Sequence, residues 1–578
     1  MIEPSLQIGG GNWANKSDSL LGYHKDGANF YADELTFSRN SLGSYTDANG
    51  LVQSMPYNLL TYSNDFSQWN TSTLTITADN LTSPDGTLNA SKIEMTGNGS
   101  LRNANELTFN NSYTYSIFVK KGNSRYVTLR SAFFTTSIVV GFDLDTLTAQ
   151  TDGTIEDYGN DWYRLSISKN ISADADKSGY FYVYLPNSLG SQSSVSGNYN
   201  YFYGGQIEDR TTALPYFATT TRLNLARVDY KDNVNGSLLL EKQSTNLITY
   251  SEDTSQWTDS GITYSTNAII SPDGGLNASK AVPDIGITAA NTRPMASVSI
   301  TTGLNYVFSV FAKAGEFENI TLDLSNSAFD VAEATYNLTS GTVTSFSGVN
   351  VSQGIDDYGN GWYRCYIVAT TISSGTSALI IRFDSNPTGD GTKGLYLWGA
   401  DFQLGSYPTS YIKSKGAATT RLADTCSKTG ISDKIGQTEG TLFLEADIQK
   451  HNESDFYIAI SNGNSLGEAI YLYQPSSGNL NVSFRTTGLS PSINILSANW
   501  NIGYNKIAIA YNSSLGEIFI NGVSKGSIAL TALPTCNQFV LGSRPDNAGV
   551  LVPSGGYKQA LLFPTRLSNT QLATLTTL

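Results

Sequence analysis

The feature that most constrains this chain is a long internal echo. The stretch DYGNDWYR at Asp157 to Arg164 returns as DYGNGWYR at Asp357 to Arg364, and its flanks return with it in the same order. NLLTYSNDFSQW from Asn58 is matched by NLITYSEDTSQW from Asn246, and SPDGTLNASK from Ser83 by SPDGGLNASK from Ser271. YSIFVKKG from Tyr115 is matched by FSVFAKAG from Phe308, and YGGQIE from Tyr203 by WGADFQ from Trp398. Ordered matches whose displacement drifts only between motifs signify one fold used twice, with insertions confined to loops. The copies run over about 58–223 and 246–422, which leaves a leading segment 1–57, a linker 224–245 and a third domain 423–578.

Within each copy, stretches such as YTYSIFVK, YVFSVFAK, GYFYVYL and GLYLWGA place apolar or aromatic residues at every second position, the period of a half-buried strand. Turn clusters (SPDG, DYGN, NSLGSQSS) separate them, and no long helical period intervenes. Two packed antiparallel sheets per copy follow, a jelly-roll-like β-sandwich. In DYGNxWYR the Gly and Asn tolerate positive φ, so the motif reads as a tight turn opening a strand. Trp162 and Trp362 are expected to plug the sandwich, and Trp69 and Trp257 to be packed in the same way; stacking on a sugar is the alternative use of such rings. From Gly440 onward TLFLEADI, FYIAIS, AIYLYQ, LNVSFR and NKIAIAY spell a further sandwich, and in LSNTQLATLTTL Ser568 can cap a short helix. The predicted class is all-β.

Charged residues make up only 15% of the 578, and the net charge is −14 with no basic stripe, which excludes nucleic acid as a partner. No apolar run approaches the roughly 20 residues that span a bilayer, so no membrane insertion is expected. The start, MIEPSLQIGGGNW, lacks the regions of a signal peptide, which predicts a product made in a cytoplasm. Three scattered cysteines (Cys365, Cys426, Cys536) read as buried free thiols. With His24 and His451 alone there is no material for a histidine triad or metal site, so no cofactor is expected. Asp143 and Asp145 in FDLDT leave calcium open, although the second copy has Asn337 and Thr339 there.

At NKIAIAYNSSLGEIFINGVSKGS the third domain resembles the concanavalin A-like lectin/glucanase superfamily, in particular its laminin-G-like members. The hairpin Lys506 to Tyr511, Leu515-Gly516 and Glu517 to Gly522 carries the likeness, and FVLGS and LLFPTRLSNTQLATL extend it over about 430–578. This implies a C-terminal concanavalin A-like sandwich with ligands held by loops. Glucanases of that superfamily offer a Glu-x-Asp-x-x-Glu strand; FLEADIQ supplies Glu445 and Asp447, but Lys450 stands where the second Glu is wanted. A solvated strand face is the reading, and no enzyme is expected. On AIYLYQ, with Ile470 and Leu472 turned to the core, Tyr471 and Tyr473 face outward by alternation, as a sugar platform or, for either alone, in ordinary cross-strand packing.

LTFSRNSLGSYTDANGLVQSMPYN (Leu35 to Asn58), followed by ARVDY and GSLLLEKQSTNLITYSED (Ala226 to Asp253), resembles bacteriophage tail-fibre and virion-appendage proteins. Here the first sandwich sits between the two halves of that pattern. The resemblance implies a structural appendage of the virion, a tail or head fibre. It would attach to other virion proteins through its N-terminus, assemble as a homo-trimer and meet host-surface carbohydrate. A decorative scaffold and a glycan-degrading appendage are the alternatives.

Overall fold

In the computed structural model, antiparallel strands supply almost all regular structure, and the one α-helix among the described residues is Asn569–Thr576. The structure describes residues 3–578 apart from 12, 14, 17–18, 28, 40, 56–57, 107–111, 133–136, 171–177, 209–211, 214, 217, 220–225, 233, 289, 296–297, 325–327, 330, 349–350, 384–387, 450–453, 464–465 and 547–554. The helix begins where expected: Ser568 accepts from the Gln571 amide while the Gln571 side chain accepts from the Ser568 amide, a reciprocal cap. The chain forms two compact units, Pro56–Leu225 and the combination of Met1–Met55 with Ala226–Leu578.

The unit Pro56–Leu225 is the first copy. Its sheet runs Thr148–Ala149, Ile138–Asp143, Tyr126–Ala132, Ser178–Tyr184, Leu88–Glu106, Tyr199–Glu208, Ser112–Lys121, Trp162–Asn170, Gly153–Asp157. The 19-residue strand Leu88–Glu106 serves both layers: Ser91 to Glu94 pair with Phe202 to Tyr199, and Leu101 to Glu106 with Val183 to Ser178. Ile117, Leu129, Phe181 and Phe202 meet between the layers, each essentially fully buried, and each such side chain contributes about 1.5–3 kcal/mol.

The second copy, inside the other unit, has the same strand order. One sheet runs Thr342–Ser347, Glu333–Asn337, Asn319–Asp323, Ile380–Phe383, Asn291–Arg293, Thr258–Ser260; the other runs Ile262–Ile270, Leu276–Pro283, Leu395–Leu404, Asn305–Lys313, Trp362–Thr370, Val351–Asp357. The single long strand of the first copy is here two, Leu276–Pro283 and Asn291–Arg293. Pro283 has no amide hydrogen to continue a ladder, and a turn closed by Ile287 N donating to Asp284 O takes the chain to the other layer.

The division drawn from the sequence at 57 falls within two residues of the one between Met55 and Pro56, but the leading segment and the linker are not separate pieces. Leu6–Gly9 pairs with Gly555–Phe563, Asn29–Ser38 pairs with Thr425–Thr429, and Ser237–Leu240 also pairs with Gly555–Phe563. The leading segment and the linker therefore belong to the C-terminal sheet. The reason is apolar: Leu6, Ile8, Leu35, Phe37, Leu238 and Leu240 are too few for a core of their own and complete the one built on Leu442, Leu444, Ile507 and Ile509. A buried ionic cluster joins the same pieces, with Arg39 Nη1 2.9 Å from Asp424, Arg227 Nη1 2.7 Å from Glu241 and Arg421 Nη1 3.0 Å from Glu241.

All three cysteines are buried and unpaired, as expected, and burial pushes the Cys426 and Cys536 thiols up to about 12. The tryptophans divide. Trp69 and Trp257 sit in the sandwich cores, and each indole donates back to a carbonyl seven residues earlier, Tyr62 and Tyr250. Trp162 and Trp362 do not plug the sandwich. Alternation puts Leu165 and Ile167 inside, so Trp162 lies on the opposite face, covered by Phe118 and Tyr203, with its indole donating to Thr82 O. Trp362 repeats this with Phe311, Trp398 and Ile270 O.

Candidate functional site

The repeated turn is a scaffold feature. Asp157 accepts from the Gly159 amide at 2.7 Å, and Asp357 does the same for Gly359. Behind the turn, buried Arg164 and Arg364 donate to Ser116 and Ser309. These groups hold both copies alike and so mark no site.

A site appears where the copies differ, on the outer face of the sheet carrying Ser178–Tyr184. Phe181 and Val183 enter the core. Strand alternation therefore puts Tyr180, Tyr182 and Tyr184 on the outer face, Tyr180 exposed, Tyr182 half-buried and Tyr184 buried, with Tyr182 stacked on Tyr184 at 5.7 Å and 10° and Tyr180 5.7 Å from Tyr182. The register then sets an arginine on each side of the middle ring: Tyr182 is opposite Arg130 on Tyr126–Ala132 and opposite Arg102 on Leu88–Glu106. The Arg130 guanidinium lies 5.2 Å from the Tyr182 ring, and that of Arg102 lies 5.0 Å from Tyr180 and 5.9 Å from Tyr182. Among the described residues the Nε of neither arginine has a hydrogen-bond partner. Burial raises the Tyr184 hydroxyl above its ordinary range, with Arg130 opposing the shift. The arrangement is a row of rings flanked by two cations, which can receive a planar anion on the arginines and an apolar C–H face on the rings.

The expected platform on the third domain is different in kind. Ile470 and Leu472 do face the core, but Tyr471 is 2% exposed rather than open, packed with Phe456, Ala459 and Val540 and overlain by Arg485 at 5.7 Å. Tyr473 is half-buried, stacked on Phe456 at 5.5 Å. Alternation sets the side of the sheet correctly; cross-strand partners then cover Tyr471. The strand face of Glu445 and Asp447 is also corrected: Glu445 lies 3.8 Å from Lys558, and burial with the nearby Asp232 lifts the Asp447 carboxyl to about 6, so the face is not a solvated one. Lys450 and His451 lie outside the described residues. Asp143 is engaged by Arg125 through two bonds of 3.0 and 2.7 Å, which hold its carboxyl well below the usual range. Among the described residues no group of three or more His, Cys, Asp or Glu could hold a metal ion, and no helix is long and apolar enough to cross a membrane.

No family model matches the chain, and no curated protein matches it. Among solved structures it is similar to the Ruminococcus gnavus IT-sialidase CBM40 bound to alpha2,3 sialyllactose, at 18% identity over 24% of this chain and 84% of that one, with a TM-score of 0.22. It is similar to the NanB sialidase from Streptococcus pneumoniae at 17% identity over 26% of each chain, with a TM-score of 0.24. A heptameric SAP-like pentraxin from Limulus polyphemus shares 12% identity over 24% of this chain and 69% of that one, with a TM-score of 0.20. These likenesses concern the β-sandwich fold. The expectation that the chain is not an enzyme is corrected by them to this extent: sialidases stand among the similar structures, and enzyme status is not assigned in either direction.

Proposed function

We propose that the chain binds carbohydrate through the first sandwich, on the face formed by Tyr180, Tyr182, Tyr184, Arg102 and Arg130, with an acidic saccharide as ligand. The observation that carries this is the row Arg130, Tyr182, Arg102 across three adjacent strands. Tyrosine faces meet the C–H faces of a sugar, and a guanidinium fork matches a carboxylate with two parallel bonds. On a chain of net charge −14, two arginines set together on an aromatic ladder favour an anion that the rest of the surface repels. Sialyllactose, the ligand named for the CBM40 structure, has this chemistry. Calorimetric titration of the full chain with 3′-sialyllactose and with lactose tests the reading. Binding of the acidic sugar alone supports it, and equal or absent binding of both refutes it.

The finer reading, that this binding serves a bacteriophage appendage attached to other virion proteins and assembled as a homo-trimer, rests on the ordered motifs of Leu35 to Asn58 and Ala226 to Asp253. A trimer in solution at micromolar concentration, measured by mass, supports the assembly, and a monomer counts against intrinsic trimerisation.

A further inference from the structure

The outer face of the first copy carries two cations, and their placement bears on how many anions it holds. Arg130 and Arg102 are the register partners of Tyr182 on the two neighbouring strands, so the three residues stand in one row with the tyrosine in the middle. Two strand spacings of about 4.7–4.9 Å set the arginine Cα atoms roughly 10 Å apart. The side chains also part along the strand. The Arg102 guanidinium is nearer Tyr180, at 5.0 Å, than Tyr182, at 5.9 Å. Arg130 lies 5.2 Å from Tyr182 and acts in the other direction, on Tyr184: the hydroxyl that burial raises is lowered by Arg130 more than by Arg102. Neither cation is neutralised. Arg125, just ahead of Arg130, is held by Asp143 at 2.7 Å. Among the described residues Arg102 and Arg130 form no ion pair, and the Nε of each has no hydrogen-bond partner. Two half-buried guanidiniums without carboxylates are costly singly and repel each other, and an anion on each relieves both terms.

We propose that Arg102 and Arg130 are two separate anion subsites, so that the face takes a saccharide with two acidic units rather than a single acidic terminus. This rests on the carbohydrate reading of the same face. The first unit sits at the open end, its ring on Tyr180, which is 37% exposed, and its carboxylate on Arg102. The second lies toward Tyr184 with its carboxylate on Arg130. Because both contacts belong to one ligand, the second forms as an intramolecular event and adds to the first.

Titration of the full chain with 3′-sialyllactose, which has one carboxylate, and with α2,8-linked disialyllactose, which has two, provides the test. The diacid is expected to bind about tenfold more tightly, beyond the roughly twofold that two carboxylates offer a single subsite by statistics. Arg130→Gln should leave 3′-sialyllactose binding unchanged and cut the margin to that roughly twofold, whereas Arg102→Ala weakens both sugars; thermal unfolding checks that each variant is folded. On the unaltered chain the margin should also narrow as ionic strength rises from about 0.01 to about 0.1 M and the screening length falls from about 30 to about 10 Å. A margin of about twofold or less on the unaltered chain overturns the proposal, as does a margin indifferent to salt. Loss of 3′-sialyllactose binding in folded Arg130→Gln equal to that in Arg102→Ala overturns it too, because both arginines would then grip one carboxylate. Each of these results leaves the acidic-saccharide reading standing. That reading fails, and the proposal with it, if 3′-sialyllactose binds no better than lactose.

Discussion

The two copies keep the same interior devices and part company on one outer face. Both retain a fully buried asparagine that ties the start of the copy to its last strand: Asn58 accepts from the Leu60 and Ile207 amides, and Asn246 from those of Ile248 and Phe402. On the outer face, register places Glu333, Asp323, Ile380 and Arg293 in the second copy where the first has Val139, Arg130, Tyr182 and Arg102. Arg382, in the place of Tyr184, is then neutralised by Asp323 and by Glu333 at 3.3 Å. The ring ladder is gone and the charge is closed on itself. Groups that hold the sandwich together are shared because both copies must fold, whereas the outer-face groups on which the proposed binding rests are present in the first copy and replaced in the second.

One exchange inside the copies tests how far the equivalence goes. Arg164 has Glu208 as its buried carboxylate, at 4.0 Å, while Arg364 has Asp401 at 3.6 Å, two residues earlier in the equivalent strand; Gln206 and Gln403 fill the complementary places. Asp401→Asn leaves a buried guanidinium without its carboxylate and is expected to cost about 3–5 kcal/mol. Adding Gln403→Glu rebuilds the arrangement of the first copy and should recover most of the loss in denaturant unfolding. No recovery would show that the two strands are not interchangeable. Removing the shared asparagine comes next: Asn58→Ala and Asn246→Ala each strand two buried amides and are expected to cost about 2 kcal/mol, equally in the two copies. A large inequality would break the comparison.

For the outer face the expected effect is smaller and one-sided. Arg102→Ala should weaken 3′-sialyllactose binding about tenfold, near 1.4 kcal/mol, whereas Arg382→Ala, on the same face of the second copy, should leave it unchanged. Loss on both would place the site elsewhere.

Much of this was legible in advance. The echo and the period-two stretches give the all-β sandwiches, because alternation is local and strong. Three things were not. The leading strands Leu6–Gly9 and Asn29–Ser38 find partners more than 380 residues away, beyond the local hairpin that Asn29–Ser38 makes with Ser19–Asp26, and no local pattern encodes those distant partners. Burial of Tyr471 depends on Phe456 and Arg485, which register and not spacing brings over it. The arginine face was half visible: GYFYVYL shows three tyrosines on one side, but Arg102 and Arg130 join them only through pairings that a single sequence does not reveal.

The smallest predicted effect returns to the turn itself. In the first copy the chain passes Gly159, Asn160 and Asp161 at φ of 77°, 53° and 62°; in the second it passes Gly359, Asn360 and Gly361 at 76°, 51° and 76°. The third position is thus left-handed in both, yet only the second copy uses glycine there. A Cβ on Gly361 would meet nothing nearer than Lys313 Cε at 3.5 Å, so space is not at issue and the cost of a side chain is the conformation alone. Gly361→Ala is therefore expected to destabilise the second copy by about 1 kcal/mol, and Gly361→Asp by less, because a short polar side chain tolerates this region better than alanine. Asp161→Gly should relieve the strain in the first copy by a similar small amount, less the entropy that glycine adds to the unfolded chain. Thermal unfolding of the three variants checks the order. Alanine and aspartate costing the same at 361 would mean that the turn is held regardless of φ by the Asp357 bond to the Gly359 amide and by Lys313 donating to the Asn360 carbonyl, and that glycine at 361 carries no conformational advantage.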